Sequence, residues 1–136
     1  MCYRETKDPA YLKLAENIAA FLINHPRLPA DKIPDWDFDV PDITKEPRDA
    51  SAAAIMASAF YELQGYSINK KQYRDFADKI LKSLIERYRA PIGTHKGFFL
   101  LHCTGHKPAN GEVDTSIIYA DYYFLEALLR KIKLVE

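Results

Sequence analysis

The sequence predicts an all-α fold built from two helical hairpins. Apolar residues recur at three- and four-residue spacing over four separate stretches, which is the period of a helix with one packed face. Long loops rich in proline or glycine separate these stretches in a regular alternation. The pattern also returns: Tyr11, Leu14, Ala15, Glu16, Ile18 and Leu22 are echoed by Tyr73, Phe76, Ala77, Asp78, Ile80 and Leu84 at a shift of 62, and Asp49 and Ser51 by Asp114 and Ser116 at a shift of 65. A repeat of that length fits a hairpin of two helices and one long loop.

The first helix is expected from Asp8 and Pro9, which suit the cap and the first helical position, to His25 and Pro26, which stop it. Its stripe is Tyr11, Leu14, Ala15, Ile18, Phe21 and Leu22. The second is expected after Arg48 and Asp49, through the alanine-rich run Ala50 to Leu63, ending at Gly65, with Asp49 or Ser51 as cap. The third runs from about Asn69 to Arg87 with one apolar and one cationic face. The fourth opens at Asp114, Thr115 and Ser116 and continues to Arg130. Helices one and three have charged faces, whereas two and four are apolar or small almost all round, so the order reads outer, inner, outer, inner. The hairpin units span about 8–66 and 67–136. Both long loops then emerge at one end, and Phe60, Tyr61, Tyr119, Tyr122 and Tyr123 are expected to be uncovered on the side lacking a neighbour. Two repeats are too few for a closed stack, so a larger helical ring or an oligomer covering the inner-helix faces is expected.

Composition narrows the function. The 136 residues carry 19 Lys and Arg against 19 Asp and Glu, giving a formal net charge of zero. Without a basic surplus, nucleic acid and anionic membranes are not expected partners. No basic-then-apolar leader is visible in the first residues, which leaves the compartment open between cytoplasm and periplasm. Cys2 and Cys103 stand a hundred positions apart, so neither a disulfide framework nor a metal site is indicated, and no cofactor is expected.

Chemistry is concentrated in the two loops. The first contains Asp35, Trp36, Asp37, Phe38 and Asp39, aromatic rings interleaved with carboxylates, a pattern suited to stacking on sugar faces and accepting from hydroxyls. The second contains His95, His102, His106 and Lys107, donors suited to an anionic or hydroxyl-rich ligand. Asp49 and Asp121 are expected to act as a cap and as a hydrogen-bonded carboxylate on an enclosed helix.

Together, the segments Trp36 to Asp39, Arg48 to Ser58, His102 to Pro108 and Tyr119 to Leu128 resemble the unsaturated glucuronyl hydrolases, glycoside hydrolase family 88. The resemblance runs through essentially the whole chain in order. It implies an (α/α)6 barrel of six hairpins, of which this chain is the C-terminal third, with a substrate pocket at the N-terminal ends of the inner helices. It further implies hydration of the C4=C5 double bond of unsaturated uronic acids on glycosaminoglycan oligosaccharides. The catalytic aspartates of the family belong to hairpins preceding Met1, so no catalytic residue is assigned and the chain alone is expected to be inactive. The substrate-binding residues it implies here are His102, Thr104, His106 and Lys107, with Trp36 from the first loop. Gly105 stands where sulfate-recognising members carry a serine. The alternatives are an unsaturated rhamnogalacturonyl hydrolase on the same scaffold and a non-catalytic helical-repeat binding module.

Overall fold

The computed structural model describes residues 1–134; residues 135 and 136 of the second predicted unit lie outside the described residues. It contains α1 (Cys2–Thr6), α2 (Pro9–Asn24), α3 (Ala50–Leu63), α4 (Lys70–Ser83) and α5 (Ile118–Lys133). Among the described residues the only β pairing is four isolated bridges, all in the loops. The short α1 was not expected from the sequence. Among the described residues no helix is long and apolar enough to cross a membrane.

Helix α3 is the central element, packed against both α4 and α5. Its alanines are the reason: Ala50, Ala53, Ala54 and Ala57 are fully buried, as are Ala77 of α4 and Ala120 and Ala127 of α5. Small side chains at a helix contact let the axes approach toward the short end of the usual 8–10 Å range. Larger residues fill the space around them. Phe60 packs on Phe76 at 4.8 Å and on Tyr73 at 5.6 Å between ring centres, and Ile80, Leu81 and Leu84 complete the core under α4. Phe60 and Tyr61 are therefore buried, contrary to the expectation that both would be uncovered. Helix α4 supplies the missing neighbour, and Tyr61 donates to Asp78 on it at 2.6 Å.

On α5 Tyr119 and Tyr122 are exposed as expected, and more uncovered apolar surface lies on α2. On α2 only Ala19 is buried, while Tyr11, Leu14, Ile18 and Phe21 are 44–57% exposed. A second stripe on α5, Ile118, Tyr122, Leu125, Leu129 and Ile132, is also exposed. Between α2, α3 and α5 runs a groove of about 650 Å³, lined by Tyr11, Leu14, Ile18, Ile55, Ala59 and Tyr122 among others.

Two helix ends differ from the sequence expectation. Helix α4 gives way at Leu84–Tyr88 to a single π turn rather than continuing as α to Arg87. Helix α5 starts at Ile118 with no side-chain cap, because Asp114, Thr115 and Ser116 are drawn out of it: Thr115 exchanges both backbone hydrogen bonds with Cys103 at 2.8 and 2.9 Å.

Candidate functional site

Both long loops meet at the N-terminal end of α3. Asp49 organises the junction. Its Oδ1 accepts from Ser51 N at 2.9 Å and from Ser51 Oγ at 2.5 Å, capping the helix, and it also accepts from Thr104 N of the second loop at 3.2 Å. The backbone carbonyl of His102 accepts from Ala50 N at 2.9 Å, and the Thr104 hydroxyl donates to the Arg48 carbonyl at 3.0 Å. Two orphan donors of the α3 N-terminus, the Ala50 and Ser51 amides, are thus satisfied by the His102 carbonyl and by Asp49. Thr104 is buried here, with its side chain committed to the junction.

Arg48 ties the first loop down. It donates to the Ile33 carbonyl and pairs with Asp35 at 3.4 Å and Asp31 at 3.6 Å, while Tyr88 from the π turn donates to Asp31 at 3.1 Å. Burial raises the Asp35 carboxyl above its ordinary range despite Arg48, and burial likewise pushes the Tyr88 phenol up to about 12. At the back of the second loop Asp121, buried on the covered face of α5, accepts from Phe99 N and Leu100 N, both at 2.9 Å, and is a hydrogen-bonded carboxylate as expected, although the opposite face of its helix is open. Cys103 is fully buried, and burial pushes its thiol up to about 12, so it is an inert core residue.

The carboxylate and aromatic cluster of the first loop is split. Asp35 faces Arg48. Phe38 lies 4.0 Å from the His25 ring and 6.1 Å from Phe21, against the end of α2. Asp37 and Asp39 are exposed. Trp36 alone turns toward the second loop: its indole N–H donates to Glu46 at 2.6 Å, Glu46 pairs with Lys107, and the Lys107 ammonium lies 5.2 Å from the Trp36 ring centre. Hydrogen bonds from Lys107 and Trp36 hold the Glu46 carboxyl below its usual range. Glu46 was not singled out in the sequence, because its partner lies 61 positions away and no local pattern announces it.

His102 forms a second cluster. Its Nδ1 lies 2.7 Å from Asp114 Oδ1, and the ring meets the edge of Tyr88 at 6.0 Å. Both His102 (φ 61) and Asp114 (φ 51) are held in the left-handed region, and His95, Lys96, Asn110 and Glu112 of the same loop share that conformation. Non-glycine residues there carry a cost that the surrounding structure must impose, and such strain concentrates at functional sites. Asp114, expected to cap a helix, instead orients His102. The structure therefore joins Trp36 to Lys107 through Glu46, and brings Thr104 and the His102 carbonyl together at the N-terminal end of α3. No hydrogen bond among the described residues links the His102 ring to the Trp36 group. His106 is exposed at the rim, its backbone paired with Gly111. No cluster of three metal-ligating side chains occurs among the described residues.

No family model matches the chain. In sequence it is 48% identical over 136 residues to the unsaturated glucuronyl hydrolase of Formosa agariphila, an alignment covering 99% of this chain and 34% of that protein. In structure it matches an unsaturated glucuronyl hydrolase specific for heparin with a TM-score of 0.95 and 48% identity, over 98% of this chain and 36% of that one. An unsaturated glucuronyl hydrolase variant from Streptococcus agalactiae complexed with dGlcA-GalNAc6S matches with a TM-score of 0.88 and 33% identity, over 99% of this chain and 36% of that one. The chain thus spans about a third of the length of the relatives it matches. Its helices correspond to part of their (α/α)6 barrel.

Proposed function

Because this chain is homologous from end to end with about a third of the unsaturated glucuronyl hydrolases, we propose that its two loops form a substrate-binding wall of such an enzyme. The homology over the whole chain is the observation that carries this reading. The substrate class is an oligosaccharide from a glycosaminoglycan, bearing an unsaturated uronic acid whose C4=C5 bond is hydrated. That reaction needs an acid to protonate the enol ether carbon and a base to deliver water to the adjacent carbon, after which the hydrated ring opens and the leaving sugar departs.

In this reading the chain contributes the C-terminal third of the barrel, in hairpin units of about 8–66 and 67–136. The acid and base reside in hairpins outside it. Asp49 and Asp121 are engaged by backbone and hydroxyl donors that hold the loops in place: Asp49 through Oδ1, Asp121 through both oxygens. Binding falls to Trp36, His102, Thr104, His106 and Lys107. Trp36 offers an aromatic surface and His102 a ring oriented by Asp114. His106 and Lys107 sit at the rim, and Thr104 contributes by fixing the backbone of the loop rather than by its hydroxyl. The exposed stripes of α2 and α5 are the faces that further hairpins, or a second copy, would cover.

The test is the loss of ultraviolet absorbance from the conjugated double bond of an unsaturated, unsulfated glycosaminoglycan disaccharide, followed alongside binding. The chain alone is expected to bind weakly, about millimolar, and to leave the absorbance unchanged. Turnover by the 136-residue chain would overturn the assignment of catalysis to other hairpins. Absence of any binding would overturn the wall.

A further inference from the structure

Lys107 is a cation of the second loop placed beside Trp36, and its charge is already used. Glu46 accepts from both the Lys107 ammonium and the Trp36 indole N–H, and the ammonium sits over the indole ring. The side chains of Lys107 and Glu46 are only 32% and 16% exposed. An incoming anion would have to displace Glu46, stripping a partly buried carboxylate of both donors, and would gain only the contact that Glu46 already makes. In a half-desolvated setting that exchange is unfavourable. A second acid points the same way. The Glu112 carboxylate occupies the space a Cβ on Gly105 would fill, so the turn leading into Lys107 is itself lined by negative charge.

Resting on the reading that the paired loops contact a sugar, we propose that Glu46 is a specificity-determining residue. As the resident counter-ion of Lys107, it makes the rim select a sugar carrying a hydroxyl, and reject one carrying a sulfate, at the position that reaches the lysine. Trp36 is held by the same carboxylate, so ring placement and charge filtering depend on one residue.

Trp36 is the only tryptophan of the chain, so ¹⁵N-labelled protein gives one indole resonance, from the N–H that Glu46 accepts. The experiment titrates inorganic sulfate against chloride at matched ionic strength, which removes general screening. For the wild-type chain the indole resonance is expected to show no saturable movement. Glu46→Gln keeps an acceptor for the indole while releasing the lysine, and is expected to show saturable movement with an apparent affinity at least about tenfold higher. That response should vanish in the double variant Glu46→Gln with Lys107→Met. Saturable movement in the wild type that Lys107→Met abolishes would overturn the proposal, as would a folded Glu46→Gln protein that does not respond. Glu46→Ala serves if the glutamine variant does not fold. An unsulfated unsaturated disaccharide titrated separately reads the sugar site: its failure to bind, with the sulfate results as expected, would remove the functional reading and leave Glu46 as the counter-ion.

Discussion

Asp49 does more at this site than any other single residue, since one carboxylate caps α3 and anchors the second loop. Asp49→Ala should cost about 1–2 kcal/mol of stability, the upper range of a lost cap, read from urea unfolding, and should speed hydrogen exchange at the Thr104 amide. Tyr61 donates to Asp78, which also pairs with Lys131 at 2.7 Å. Tyr61→Phe should therefore cost about 0.5–1.5 kcal/mol. The same carboxylate makes a pH prediction. Burial would raise Asp78, but hydrogen bonds from Lys131 and Tyr61 outweigh it and hold the group below its ordinary value. A carboxyl lowered by folding contributes stability above its unfolded value and loses that contribution as pH falls through the folded value. Asp78→Asn should be less stable than wild type at neutral pH, and the difference should close toward about pH 3, as measured by thermal melts across pH. Asp35, raised by folding, tilts the opposite way.

At the scale of the elements, the helices that pack were legible and the loop contacts were not. Asp8 with Pro9, and Asp49 with Ser51, announced two helix starts that the structure keeps, because cap chemistry is local. Asp114, Thr115 and Ser116 carry the same local signal and do not start a helix, because Thr115 pairs with Cys103 across the loop and a tertiary contact outweighs a cap. The Trp36, Glu46 and Lys107 group and the His102 and Asp114 pair depend on where two long loops cross, which no residue spacing encodes. The alanine seam between α3, α4 and α5 was visible in composition, and its tightness makes a prediction. Ala57, fully buried at that seam, has no room for a larger side chain, so Ala57→Leu should destabilise by about 1–3 kcal/mol, with loss of near-ultraviolet dichroism from the packed aromatic residues preceding loss of helix on denaturation.

For the whole molecule, the sequence indicated apolar faces in need of partners; the structure keeps Tyr119 and Tyr122 of α5 exposed, covers Phe60 and Tyr61 of α3, and adds the stripe of α2 to the groove. An exposed patch of this kind marks an interaction surface. The isolated chain should bind a hydrophobic dye or self-associate, and Leu14→Lys with Leu129→Lys should reduce both in fluorescence and sedimentation measurements without lowering helix content. At the other end the two loops meet over the α3 N-terminus, and there the proposed sugar-binding surface lies. Its most direct test is a ¹⁵N–¹H correlation map of the chain titrated with an unsaturated, unsulfated glycosaminoglycan disaccharide. Shifts are expected to concentrate in both loops together, at the Trp36 indole and the amides of His102, Thr104, His106 and Lys107, while the exposed face of α4 stays still. Shifts confined to the apolar groove, or spread evenly over the surface, would contradict this placement.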